Sequence, residues 1–97
     1  VAKLLERTGE TLERFDMIEV NEAYAAQVLA NGDALGWDVE RVNTRGGAVA
    51  LGHPIGASGA RILVTLLHGL KRTAGRKGLA VICHGGGGAV AMSVEAA

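Results

Sequence analysis

The sequence predicts a layered α/β fold in which a mixed sheet rests on a buried central helix. Three stretches carry that prediction. Residues 59–70 hold Ile62, Leu63, Val64, Leu66, Leu67 and Leu70, with scarcely a polar face between Arg61 and Lys71. A helix that is apolar almost all round is one covered by protein on several sides. Residues 79–83 form a continuous apolar run of strand length, as in a central strand covered on both faces. Residues 89–95 alternate, with Val90, Met92 and Val94 facing one way and Ala89, Ala91 and Ser93 the other.

The remaining elements follow in order. Residues 2–8 read as a helix, with Gly9 in the C-terminal capping position. Residues 10–14 are a connector anchored by Leu12 and Phe15, and residues 16–20 a short strand. Asn21 ends that strand. Residues 22–30 read as a second helix with Ala25, Val28 and Leu29 on one face. Asn31-Gly32-Asp33, Gly36 and Gly46-Gly47 mark residues 31–47 as irregular. A glycine-rich loop leads to the buried helix, with Ser58 as its cap and the basic run 71–77 against its negative end. Gly85 to Gly88 then turn the chain between two strands.

Composition narrows the function classes. The 97 residues suffice for one domain, and 48% hydrophobic with only 3% aromatic residues means an aliphatic core. A net charge of zero argues against disorder and against a basic nucleic-acid surface. The neutrality hides two opposed halves. Residues 1–45 carry five basic and nine acidic groups, residues 46–97 five basic and one acidic. The halves are expected to attract each other on folding. Cys83 is the only cysteine, which excludes an intramolecular disulfide and a cysteine-rich zinc site. His53, His68 and His84 lack ligand-like spacing, so no metal is expected. There is no apolar run long enough to span a bilayer and no signal-peptide pattern, so no membrane partner is expected. The expected location is cytoplasmic, with an organellar matrix as the alternative. The chain opens at Val1 inside a helical pattern, which suggests a piece of a longer polypeptide.

Three segments concentrate reactive side chains beside glycine. Val20-Asn21-Glu22-Ala23-Tyr24 lies where a strand meets a helix. Taken alone, it reads as an N-cap with an acid in the first turn. Gly46-Gly47-Ala48-Val49-Ala50-Leu51-Gly52-His53-Pro54-Ile55-Gly56-Ala57-Ser58-Gly59 places a lone histidine among glycines that let backbone approach a ligand closely. Cys83-His84-Gly85-Gly86-Gly87-Gly88 sets a thiol at a strand end before unhindered amides. The dinucleotide, P-loop and nucleophile-elbow patterns are all absent.

Together, Asn21-Glu22-Ala23-Tyr24, Gly46-Gly47-Ala48-Val49-Ala50-Leu51-Gly52-His53-Pro54 and Cys83-x-Gly85-Gly86-Gly87 resemble the C-terminal part of a thiolase. The resemblance runs essentially end to end. His84 stands where a small aliphatic residue is common, and Arg45 where Asn commonly precedes the glycine pair.

The resemblance implies the C-terminal portion of a thiolase-like layered α/β/α fold, with residues 1–97 as a partial C-terminal domain. It implies thiolysis of a 3-ketoacyl-CoA by CoA, or the reverse Claisen condensation, with CoA as a substrate and no resident cofactor. That chemistry needs a thiolate nucleophile, its base, a second acid/base at the α-carbon and two oxyanion stabilisers. By the family pattern, His53 activates the nucleophilic cysteine and donates to the thioester oxygen. Asn21 holds a water at that oxygen. Cys83 exchanges the α-carbon proton, and the Gly85 N–H serves the other oxyanion hole. The nucleophile itself belongs to the remainder of the thiolase chain, so the isolated 97 residues are expected to be inactive. The complete enzyme is expected to be a homo-oligomer, a dimer or tetramer.

Two other readings compete. A ketoacyl synthase generally has His or Asn where Cys83 stands, and a sterol-carrier-type thiolase has a His-Asp pair near Asn21-Glu22, so both are disfavoured. A non-catalytic fragment or assembly module would make His53 a loop histidine bonded to backbone and Cys83 a small buried hydrophobe. Each segment alone fits that account; the three in this order favour the thiolase. The apolar helix leaves the isolated chain marginal, or associating through exposed apolar surface.

Overall fold

The computed structural model describes residues 1–97. In chain order it contains α1 (Ala2–Thr8), β1 (Met17–Val20), α2 (Ala25–Leu35), α3 (Ala48–Leu51), α4 (Ser58–Thr73), β2 (Lys77–His84) and β3 (Gly88–Glu95). Single 3-10 turns at Leu12–Arg14 and Val39–Arg41 bridge the connectors. The sheet has the order β1-β2-β3 and is mixed, as expected. β1 runs parallel to β2, from Met17 opposite Gly78 to Val20 opposite Val81. β3 returns antiparallel, with Cys83 opposite Ala89.

Parallel neighbours need a crossover, and α4 lies on it. Its direction is antiparallel to the strands. Gly69, late in α4, lies against Met17 early in β1, while Arg61, early in α4, reaches Glu19 further along β1. Strand periodicity then divides the core into two layers. Ile18, Val20, Leu79 and Val81 pack with Phe15 and Trp37 on one face. Met17 and Ala80 pack with Ile62, Leu66 and Leu70 of α4 on the other. The fit beneath α4 requires a bare backbone: a Cβ on Gly78 would lie 2.7–2.9 Å from three side-chain carbons of Leu66.

Several expectations need correction. The second helix begins at Ala25 and runs to Leu35, straight through Asn31-Gly32-Asp33. Gly32 is there for packing, because the Trp37 indole occupies the place of its side chain. Gly36, with φ 69°, is the residue that stops the helix. The glycine-rich loop contains a one-turn helix, α3. Finally, α4 is covered on one face only: Ile62, Leu66, Gly69 and Leu70 are buried, but Val64 is 56% exposed and Leu67 is also exposed. The basic run also divides, since Lys77 pairs with Glu10 and Arg76 with Glu95, leaving Lys71 and Arg72 in the last turn of α4. Lys77–Glu10 and Arg61–Glu19 join the acidic first half to the basic second, whereas Arg76–Glu95 lies within the second.

The burial difference along α4 has a measurable consequence. Leu66→Ala lowers the free energy of unfolding by about 2–5 kcal/mol, and Val64→Ala changes it by less than about 0.5 kcal/mol. Urea unfolding checks both; equal costs would contradict the seating of α4.

Candidate active site

The topology gathers the chemistry at one end of the sheet. β1 and β2 are parallel, so their C-terminal ends lie side by side, and the antiparallel α4 brings its N-terminus to the same end. Asn21 leaves β1 there, held by its own N–H to the Val81 carbonyl at 2.8 Å. Cys83 stands near the end of β2, half-buried. His53 and Ser58 lead into α4. His53, Ser58, Cys83 and Gly85 line one open cleft of about 390 Å³.

His53 is gripped from both ring nitrogens. Its Nδ1 lies 2.5 Å from Ser58 Oγ, and Ser58 Oγ donates in turn to the Pro54 carbonyl at 3.1 Å. A serine that donates there accepts at Nδ1, and a neutral ring whose Nε2 accepts from the Asn21 amide carries its proton on Nδ1. Nε2 is left as the acceptor, 3.3 Å from Asn21 Nδ2. His53 as a residue is solvent-exposed, whereas Asn21 is 0% exposed and Ser58 is buried. Nε2 is thus an unprotonated ring nitrogen whose one hydrogen-bond partner is the Asn21 amide.

A second set of contacts holds the loop that carries His53. Asn43 uses its side-chain amide as a strand edge: Oδ1 accepts from Val20 N and Nδ2 donates to Val20 O, both at 2.8 Å. Nδ2 also donates to Glu22 Oε1 at 3.0 Å. The other carboxylate oxygen of Glu22 accepts from Val49 N at 2.8 Å, in the first turn of α3. Gly47 has no side chain because the Glu22 carboxylate occupies that space. Glu22 thus connects the end of β1 to the segment leading into His53.

Beneath these contacts, Glu19 is 0% exposed in the middle of β1, with Arg61 Nη1 3.6 Å from its Oε2. Burial pushes its carboxyl up to about 7, an effect that the Arg61 charge opposes and the Glu22 charge reinforces. At the other end of the strand, Asp16 accepts from the backbone N–H groups of Lys77 and Arg76, at 2.9 and 2.8 Å, which holds it below the usual carboxylate range.

Asn21, His53, Cys83 and Gly85 all fall at this end of the sheet. Asn21 is not a helix cap, since α2 starts four residues later, and Ser58 bonds to His53 rather than capping α4. Gly85 needs no bare backbone for packing: a Cβ there would meet nothing within 4 Å. Sequence reasoning missed Glu19 and Asn43. A charged residue inside an apolar four-residue strand is a signal for the first; nothing in the sequence marks the second. The two unusual residues have places too. His84 donates through Nδ1 to the Gly85 carbonyl at 2.6 Å, and Arg45 lies against Gly69 of α4.

Comparison with known proteins converges on one family. The profile described as "Thiolase, C-terminal domain" matches residues 1–96. An acetyl-CoA acetyltransferase of Pseudomonas aeruginosa is 59% identical over 92 residues, 95% of this chain and 23% of the relative. A probable acetyl-CoA acetyltransferase of Escherichia coli is 57% identical over 93 residues, 96% of this chain and 24% of the relative. The crystal structure of the Bacillus anthracis acetyl-CoA acetyltransferase superposes with a TM-score of 0.91 at 52% identity, covering 94% of this chain and 23% of that one. The chain therefore spans about a quarter of the length of the relatives it matches.

Two outcomes follow from the packing of the site. Gly47→Ala forces the Glu22 carboxylate off Val49 and Asn43 and costs about 1–3 kcal/mol, whereas Gly85→Ala stays within about 0.5 kcal/mol in the same unfolding assay. The second outcome concerns pH. The Glu19 carboxyl is raised from 4.5 to about 7, so folding favours its protonated form. Its contribution is fully present below the lower value and is lost as pH rises through the upper one. Glu19→Gln therefore flattens the decline in unfolding free energy across that window; pH profiles that stay parallel would contradict the burial of this carboxylate.

Proposed function

The chain belongs to the thiolase C-terminal domain family, and on that premise we propose that it supplies the acid/base half of an acyl-CoA C-acyltransferase site. The complete enzyme cleaves a 3-ketoacyl-CoA with CoA, or condenses two acyl-CoA molecules in reverse. The observation that carries the reading is the Asn21–His53 contact at 3.3 Å beside a cleft shared by His53 and Cys83.

The roles follow from the chemistry. In thiolysis, a cysteine thiolate from the remainder of the thiolase chain attacks the 3-keto carbonyl. The bond between C2 and C3 then breaks, leaving its electron pair on C2 as the enolate of an acyl-CoA. Cys83 supplies the proton that C2 takes up, and the resulting thiolate accepts the proton of the incoming CoA thiol. A thiol suits both steps because its ordinary pKa, near 8.5, lies close to working pH. His53 Nε2, free to take a proton, activates the nucleophilic cysteine. Once protonated, it donates to the enolate oxygen. Asn21 Nδ2 holds a water against that same oxygen, and the Gly85 N–H donates to the oxyanion of the acyl-cysteine adduct. The open space beside Gly85 suits a backbone that must approach substrate. CoA is a substrate here, and the chemistry requires no metal or resident cofactor.

The whole protein works in this reading as a homo-oligomer, a dimer or tetramer, in the cytoplasm. No helix of the chain is long and apolar enough to cross a membrane. Residues 1–97 form part of a C-terminal domain, and the isolated segment lacks the acyl-accepting cysteine.

The test uses the polypeptide that carries this segment at its full length, assayed for acetoacetyl-CoA thiolysis. Cys83→Ala and His53→Ala each lower kcat by about 10²–10⁴-fold, and Asn21→Ala by about 10²-fold. The 97-residue chain alone shows no turnover. Full activity in the Cys83→Ala variant, or acyl transfer by the isolated chain, would overturn the assignment.

A further inference from the structure

Glu19 and Arg61 form a pair whose presence packing does not explain. Both lie in the layer between β1 and α4, where Met17, Ile62 and Leu66 supply an apolar core. Glu19 is fully buried and neither of its carboxylate oxygens has a hydrogen-bond partner. At 3.6 Å, the contact with Arg61 is an ion pair without a direct hydrogen bond. Arg61 is itself held one helical turn further on, through Nη1 to Thr65 Oγ1 at 3.4 Å. A buried pair of this kind is weak evidence for stability, since apolar side chains of similar volume serve as well or better. Its location is informative. Glu19 and Asn21 are two residues apart and share one face of β1. Ser58 and Arg61 are three apart and share one face of α4. Asn21 and Ser58 are the two residues that grip His53. The ion pair therefore crosses the same strand–helix gap as the Asn21–His53–Ser58 chain, one step deeper. Arg45 and Glu22 are the other charges acting on Glu19.

We propose that Glu19 and Arg61 are positioning residues that set the distance and tilt between β1 and the first turn of α4, and thereby hold His53 in the tautomer that leaves Nε2 unprotonated. Their catalytic consequence rests on the thiolase reading of His53; their effect on the ring does not. Neither residue touches the cleft. They act through Asn21 and Ser58.

The test replaces both charges in the full-length protein, Glu19→Leu with Arg61→Met, which leaves no unpaired charge behind. The ring nitrogens of His53 are then followed by ¹⁵N magnetic resonance on histidine-labelled protein, alongside steady-state thiolysis. The wild type is expected to show one protonated and one unprotonated ring nitrogen. The folded double variant is expected to show both moved toward tautomer-averaged positions, with kcat lower by on the order of tenfold and KM little changed. Arg61→Lys keeps the cation and is expected to fall between the two. Unchanged His53 signals in the folded double variant would overturn the proposal. Should the double variant fail to fold, Arg61→Lys decides on the same signals. A wild type without acyl transfer, whose His53 signals still respond to these substitutions, supports the positioning role while sinking the thiolase reading. An active wild type with unresponsive signals sinks the positioning role alone.

Discussion

The parallel pairing of β1 with β2 is the constraint on which everything else depends. Two strands running the same way present their C-terminal ends together, and the helix that joins them must return its N-terminus to that end. In open α/β sheets this is where ligands bind. Asn21, Cys83 and the His53–Ser58 turn lie far apart in sequence, yet this one topological choice brings them together. The pairing is secured at its opposite end by Asp16, whose carboxylate takes the backbone N–H groups of Arg76 and Lys77 while its own N–H donates to the Lys77 carbonyl. That clamp fixes the register. A slip by one residue would turn Glu19 and Asn21 away from α4 and send Ile18 and Val20 into their place.

On that frame the site is built in layers of decreasing rigidity. The apolar layer of Ile62, Leu66 and Leu70 under Gly78 fixes α4 against the sheet at van der Waals distance. The Glu22–Asn43 contacts fix the loop ahead of His53. The last layer is the chain from Asn21 through the imidazole to Ser58 and the Pro54 carbonyl, which selects a tautomer rather than merely a position. A histidine on a glycine-rich loop has many orientations available to it; here two side chains from two different elements leave it one. The cost of this construction is visible in Glu19, a carboxylate buried against its own solvation.

Much of this was legible in the sequence, and the parts that were not share a cause. The strands, Gly9 and the apolar helix follow from local pattern, and the order of three short motifs singles out Asn21, His53, Cys83 and Gly85, which the fold brings to one end of the sheet. The errors concern residues whose meaning depends on a distant neighbour. Asn31-Gly32-Asp33 reads as a turn until Trp37 is seen filling the space beside Gly32. Ser58 reads as a cap until His53 is seen bonded to it. Asn43 is an unremarkable loop residue in sequence and a substitute strand edge in space. The exposure of Val64 and Leu67 shows the reverse limit: an all-apolar helix states how much cover it wants, and the 97 residues supply that cover on one face.

The three reactive segments converge at one end of the sheet, and Cys83, the single thiol of these 97 residues, offers a direct probe of that convergence. A nitroxide attached to Cys83 broadens the amide resonances of nearby residues according to distance. The fold predicts strong broadening at His53, Gly56 and Gly59, which line the same cleft, and little at Lys71 and Arg72 at the far end of α4. Broadening confined to residues near position 83 in sequence, or equal at the two ends of α4, would contradict the arrangement.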